Sequence, residues 1–362
     1  MGWIRSFILN SLVIAVSICV TLLLVEVALH FSPLKLKYLY PLEPGGYLQF
    51  DPQLGFDITP SFATSTHSFT DLTYPVWSNS MGCFDHEYDG TSPYVYITGD
   101  SFTWGFAPFE SKWGKIVEQQ TGVRTLTCGV NAFGTHQELI KTTRDLTHLP
   151  QAPKYIVVGY FEGNDLGDDY AFPNFTAHKG YRVPNTTRCP YGATTSVCMV
   201  PEPHYSALQE IKFYLSLNSV LYMMAQRHGI QDKIKNLFKL EQISFPSTVG
   251  NEDVAWGANE QTIKEFKELA ATHETRLLFV LIPERGTVRA KTLPGPESVH
   301  EKVKSILAKE EIEYIDLLPE FRATEQMPAH LLYWPINEHW NVAGNQLAGE
   351  IVSRYLKEHL SI

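Results

Sequence analysis

Apolar residues fall along this chain in three patterns. From Phe7 to Leu29 they are almost unbroken, interrupted by Asn10, a few hydroxyls and Glu26. Further on they gather into short β-favouring runs at Tyr94–Thr98, Val123–Thr127, Lys154–Gly159, Arg276–Ile282 and Tyr314–Leu317. Between and after those runs they recur at helical spacing over Lys112–Gln120, Thr135–Leu146, Glu260–His273, Ser298–Glu310 and Val342–His359. Short runs of β-branched and aromatic residues without polar alternation read as strands covered on both faces. Alternating with amphipathic helices, they predict an α/β doubly wound parallel sheet. Tyr205–His228 also carries an apolar stripe, Met223 and Met224 included, which reads as a helix face packed into a core.

The first apolar run is long enough to cross a bilayer of ~30 Å as a helix. No small-x-small cleavage site follows it, and Cys19 in Ser-Ile-Cys lacks the small residue expected before a lipidated cysteine. An uncleaved transmembrane anchor is therefore expected over residues 1–31. Arg5 and the amino terminus favour a cytoplasmic start and a catalytic part outside the cytoplasm, while Lys35 and Lys37 weigh the other way. Residues 32–92, rich in Pro, Tyr, Phe, Asp and Thr without helical periodicity, read as an irregular, partly β lead-in packed on the catalytic domain. The catalytic domain spans 93–362, with a long insertion at about 166–255 on the ligand side of the sheet, where substrate contact is expected.

Composition narrows the function classes. With 362 residues, 44% hydrophobic and 19% charged, the chain is an ordinary globular one with room for a large core. A net charge of −10 and the lack of any Lys/Arg run argue against a nucleic-acid partner. Aromatic residues, at 12%, suit both core packing and stacking on sugar rings. Cys189 and Cys198, separated by a Pro/Gly/Thr stretch, read as a small disulfide loop formed in an oxidising compartment; Cys83 and Cys128 are either a second pair or two free thiols. With no Cys-x-x-Cys and no His-Glu-x-x-His, neither a zinc site nor any other metal or cofactor is expected.

Chemistry concentrates just past the strands. Gly99-Asp100-Ser101 follows the first catalytic strand, Cys128-Gly129 the second and Gly163-Asn164-Asp165 the third, while Ile336-Asn337-Glu338-His339 precedes the last helix. Acyl transfer needs this set: Ser101 as a nucleophile, His339 as the base that removes its proton, and Gly129 N–H and the Asn164 amide as donors where negative charge develops. In this order the four blocks resemble those of the SGNH (GDSL-type) hydrolase superfamily, from Tyr94 to the C-terminus. His339-Trp340-Asn341-x-x-Gly344 and Asp51-Pro-x-Leu-Gly55 are similar to stretches of members anchored by one N-terminal helix, a group of envelope esterases and O-acyltransferases.

The resemblance implies a flavodoxin-like sheet, Ser101 as nucleophile, an oxyanion hole of Ser101, Gly129 and Asn164, and His339 as general base. Relatives carry an aspartate two or three residues before the histidine, where this chain has Asn337 and Ile336. Asparagine can accept the ring N–H without supplying charge, so the site is a Ser101-His339-Asn337 triad, a dyad aided by another carboxylate, or an impaired site. The expected function is transfer or removal of an acyl group, acetyl above all, on an extracytoplasmic carbohydrate. The partners are that acylated carbohydrate, the membrane, and a membrane-bound acyltransferase as a further candidate. The alternative from another class is a catalytically silent glycan-binding or scaffold protein of the cell envelope.

Overall fold

The computed structural model describes residues 2–32, 34–35, 39, 43–69, 72–170, 172–185, 199–227, 252–325, 331–335 and 338–360. Asn337 and the Cys189/Cys198 pair lie outside them. The chain divides into two compact units, Met1–Leu42 with His204–Ser247, and Glu43–Pro203 with Thr248–Ile362.

The strands of the larger unit are β1 (Leu48–Asp51), β2 (Gly55–Ile58), β3 (Ser65–Phe69), β4 (Leu72–Val76), β5 (Tyr94–Gly99), β6 (Arg124–Thr127), β7 (Tyr155–Phe161), β8 (Phe175–His178), β9 (Tyr181–Pro184), β10 (Arg276–Ile282) and β11 (Glu313–Asp316). The helices, over both units, are α1 (Gly2–His30), α2 (Ser101–Trp104), α3 (Trp113–Thr121), α4 (Thr135–His148), α5 (Asp165–Tyr170), α6 (Ala207–Asn218), α7 (Val220–Arg227), α8 (Glu252–Thr272), α9 (Arg285–Arg289), α10 (Val299–Lys309), α11 (Leu318–Glu325) and α12 (Val342–His359). Five strands form one parallel sheet in the order β11-β10-β7-β5-β6. Counted along the chain that order is 2-1-3-4-5, the flavodoxin-like winding, whose direction reverses between β5 and β7. A ligand crevice opens at the carboxyl ends of strands at such a reversal.

Both central strands are buried along their whole length, and their alternate side chains enter different cores. Val95, Ile97 and Val157 pack with Trp113 and Val117 of α3 and Val352 and Leu356 of α12. Ile156, Val158 and Tyr160 pack with Leu139 of α4, Ile263 and Phe266 of α8, and Val303 and Leu307 of α10. A period of two along the strand thus fills two helix layers, which is why these runs carry no polar alternation.

The lead-in is more regular than its composition suggests. It forms two antiparallel hairpins, β1 with β2 and β3 with β4, whose Tyr47, Phe56, Phe69 and Tyr74 share a core with Trp104, Phe106, Phe109 and Phe133. The Trp104 indole donates to Tyr47 Oη at 3.0 Å, tying the lead-in to the helix that begins at Ser101. Of the two alternatives for Cys83 and Cys128, the disulfide is the one formed, joining the lead-in to the end of β6.

In the smaller unit, α1 is long and apolar enough to cross a membrane. The single core-facing helix expected over Tyr205–His228 is instead two helices separated at Ser219, and α6 has no buried residue. Met223 and Met224 of α7 are only half-buried. An apolar stripe has the same periodicity whether it faces a protein core or another apolar medium, and sequence pattern alone does not separate the two.

Candidate active site

Ser101 begins α2 directly after β5, and Asp100 caps that helix, its Oδ1 accepting the Phe102 N–H at 2.8 Å. The turn between strand and helix is so tight that Gly99 sits at φ +153, where a Cβ would lie 2.1 Å from Thr103 Oγ1. Glycine alone fits there. Ser101 Oγ lies 2.7 Å from His339 Nε2 and 3.1 Å from Asp100 Oδ2. The two catalytic candidates, 238 residues apart in the chain, are therefore in direct hydrogen-bond contact.

His339 is fixed by backbone and by packing. Its carbonyl accepts the Trp334 N–H at 3.0 Å, next to the Tyr333–Trp340 bridge, and its ring packs against Phe102 and Phe106. Burial, with the positive charge of Arg182 adding to it, holds the imidazole far below its usual range, at about 3. A neutral ring is the form that can take a proton from serine. Asn337, the expected orienting residue, lies outside the described residues.

Gly129 follows β6 on a loop pinned to β5, with Cys128 N–H donating to Ile97 O at 2.7 Å and Val130 N–H to Gly99 O at 3.0 Å. A Cβ at Gly129 would stand 2.6 Å from Trp104 N, so only glycine lets this backbone approach α2. Asn164 lies in the loop between β7 and α5. Its Nδ2 donates to Asp168 Oδ2 at 2.7 Å, and Asp168 Oδ1 accepts from Asn174 Nδ2 at 2.6 Å. One amide hydrogen of Asn164 is thus held by Asp168.

Three residues of this neighbourhood were not singled out from sequence. Asp168 stands one helical turn after Asn164, a spacing that signals contact once a helix is known to start there. Arg182, on the β8–β9 hairpin of the insertion, donates to the Asn131 carbonyl at 2.8 Å and stacks over Phe175. Asp100 caps α2 and also lies within hydrogen-bond distance of Ser101 Oγ. Burial pushes Asp100, Asp168 and Asp169 up to about 7. Glu138 and Asp165 are raised further by burial and by neighbouring acids. Both Glu138 oxygens are buried without a hydrogen-bond partner among the described residues, which a neutral carboxyl tolerates far better than a charged one.

Residues 245–362, which include His339, match the family model described as SGNH hydrolase-like domain, acetyltransferase AlgX. No curated protein matches the chain. Among solved structures, it is similar to a member of the lipolytic protein G-D-S-L family from Veillonella parvula, with 12% identity, coverage of 73% of this chain and 97% of that one, and a TM-score of 0.39. A lipase/acylhydrolase from Enterococcus faecalis is similar at 12% identity, 74% and 96% coverage and a TM-score of 0.38. An acetyl xylan esterase is similar at 10% identity, 73% and 99% coverage and a TM-score of 0.40.

Proposed function

We propose that this chain is a member of the SGNH hydrolase superfamily and a serine esterase or O-acyltransferase acting on an acylated carbohydrate outside the cytoplasm. The observation that carries this reading is the 2.7 Å contact between Ser101 Oγ and His339 Nε2 at the switch point of the sheet. In the reaction, His339 Nε2 takes the hydroxyl proton as Ser101 Oγ attacks the acyl carbonyl carbon. The carbonyl oxygen becomes an oxyanion, met by the N–H groups of Ser101 and Gly129 and by the Asn164 amide. Collapse of the tetrahedral adduct expels the alcohol, which takes the proton back from His339 and leaves Ser101 acylated. Water or a sugar hydroxyl then attacks the acyl-enzyme by the same steps in reverse, giving hydrolysis or transfer.

Each assigned group has a magnitude to supply. Removing one oxyanion donor costs ~10²–10³ in kcat in well-studied acyl-transfer enzymes. We assign the orienting role at His339 to Asn337, whose amide would accept the ring N–H without supplying a charge. Compartment and substrate rest on separate observations. The Cys83–Cys128 disulfide favours an oxidising compartment, α1 has the length and apolarity of an anchor, and the matched family description names an acetyltransferase. Turnover of p-nitrophenyl acetate by the full chain in detergent, with Ser101→Ala as control, tests the reading. Activity above the control supports it, and equal rates with both proteins folded would contradict it.

A further inference from the structure

Within the smaller unit, Glu26 stands out as a carboxylate in an otherwise apolar helix. Its side chain is spent on α7: Oε2 accepts from Ser219 Oγ at 2.8 Å and from Leu221 N–H at 3.0 Å, and Oε1 accepts from Val220 N–H at 2.7 Å. These are the open donors at the start of α7, and an acid there is favourable both as a cap and against the helix dipole. Glu26 therefore fastens α7, and through Ser219 the end of α6, to one level of α1.

That level can be placed. From Phe7 to Glu26 there are twenty residues, which at ~1.5 Å per residue span ~30 Å, the thickness of a hydrocarbon core. If α1 is an anchor, Glu26 lies where hydrocarbon gives way to headgroups, and the C-terminal end of α6 is tied at the same boundary through Ser219. The apolar surface of α6 is open there: Leu208, Ile211 and Tyr214 are 61%, 57% and 65% exposed. At spacings of three they share one helix face, whereas Gln209, Lys212 and Ser216 point elsewhere. Gln209 closes the N-terminal turn of α6, its Oε1 accepting from Ser206 N–H at 2.8 Å, so the helix is capped rather than frayed.

We propose that α6 is a second membrane-contacting element, an interfacial helix whose Leu208–Ile211–Tyr214 face is covered by outer-leaflet phospholipid, with the Tyr214 phenol at headgroup level. The occupant is lipid rather than protein because α1, to which α6 is tied through Ser219 and Glu26, is long and apolar enough to cross a membrane and reaches the same boundary. An amphipathic helix tethered at that boundary can bury its apolar face in the acyl region. The proposal rests on reading α1 as a membrane anchor, and the experiment separates the two.

The full chain is reconstituted in vesicles of phosphatidylethanolamine and phosphatidylglycerol containing a phospholipid with a diazirine in its acyl chain. Irradiation and peptide mapping then locate the lipid adducts. Adducts on both α1 and the Leu208–Tyr214 face are expected, together with at least a tenfold fall in α6 labelling in Leu208→Ser/Ile211→Ser. In that variant α1 labelling and p-nitrophenyl acetate turnover should be unchanged. Adducts on α1 without any on α6 would overturn the proposal while leaving the anchor intact. So would chemical cross-linking of α6 to a second copy, because the face would then be covered by protein. Absence of lipid adducts from α1 as well would overturn the anchor and the proposal together.

Discussion

Asp168 offers a graded test of the oxyanion assignment. Its Oδ2 holds the Asn164 amide at 2.7 Å while Oδ1 is itself held by Asn174 at 2.6 Å. A hydrogen bond to a charged acceptor contributes ~1.5–3 kcal/mol, and Asp168 takes the charged form above about pH 7, where the assay is run. If that energy is spent on aiming the second amide hydrogen at the developing oxyanion, Asp168→Ala should lower kcat by about 10–10² with little change in KM. Deleting the donor itself in Asn164→Ala should cost more, ~10²–10³ in kcat. The double variant should be no worse than Asn164→Ala, because Asp168 acts only through that amide. Steady-state kinetics with p-nitrophenyl acetate, normalised to active sites counted with a fluorophosphonate, gives all four values. Full kcat in Asp168→Ala beside an impaired Asn164→Ala would refute the positioning role, and an unchanged Asn164→Ala would remove the amide from the oxyanion hole.

Three further outcomes follow from the structure and sequence. Asp100, Asp168 and Asp169, raised to about 7, bind protons in the folded state between about pH 4 and 7 that the unfolded chain has released, so their contribution to stability is lost as pH rises through that window. His339, lowered to about 3, acts oppositely between about pH 3 and 6.5, and the buried Lys112, held below its usual range by desolvation, acts in the same sense as pH rises toward the ordinary lysine range. His300, raised to about 9 by Asp316 and Glu162 against the opposing effect of burial, sides with the three acids. The apparent Tm of the full chain in detergent should therefore be higher at pH 5.5 than at pH 8, and the reverse order would contradict this balance. Cys83→Ser opens a 45-residue loop, worth ~4 kcal/mol by chain entropy, and should lower the apparent Tm by about 10 °C, whereas a change of under 2 °C would show that the bridge is not a stabilising one. If Asn337 orients His339, Asn337→Asp adds a charge that favours the imidazolium formed as Ser101 attacks, and should raise kcat rather than lower KM; a flat or falling pH–rate profile would leave a Ser101–His339 dyad.

The sheet was legible because its strands are buried on both faces and therefore read as unbroken β-favouring runs. Tyr94–Gly99 and Tyr155–Phe161 are the clearest cases. The site was legible only as separate blocks, since no local rule brings residue 339 to residue 101. Arg182 and Asp168 were hidden for different reasons. Arg182 sits on a hairpin inside an insertion with no periodic signal, and Asp168 matters only because α5 turns it back toward Asn164. Cys83 and Cys128 could not be paired from spacing, because their proximity depends on the lead-in folding over the end of β6. The exposed face of α6 was read as core because hydrophobic periodicity reports an apolar neighbour without naming it.

The central claim is that Ser101 is the nucleophile of an acyl-transfer site. Intact-protein and peptide mass spectrometry after treatment of the folded full chain with a fluorophosphonate tests it most directly. The account predicts one stoichiometric adduct on Ser101, absent in Ser101→Ala and slowed by orders of magnitude in His339→Ala. A folded chain that acquires no adduct on Ser101, or acquires it as fast without His339, would contradict it.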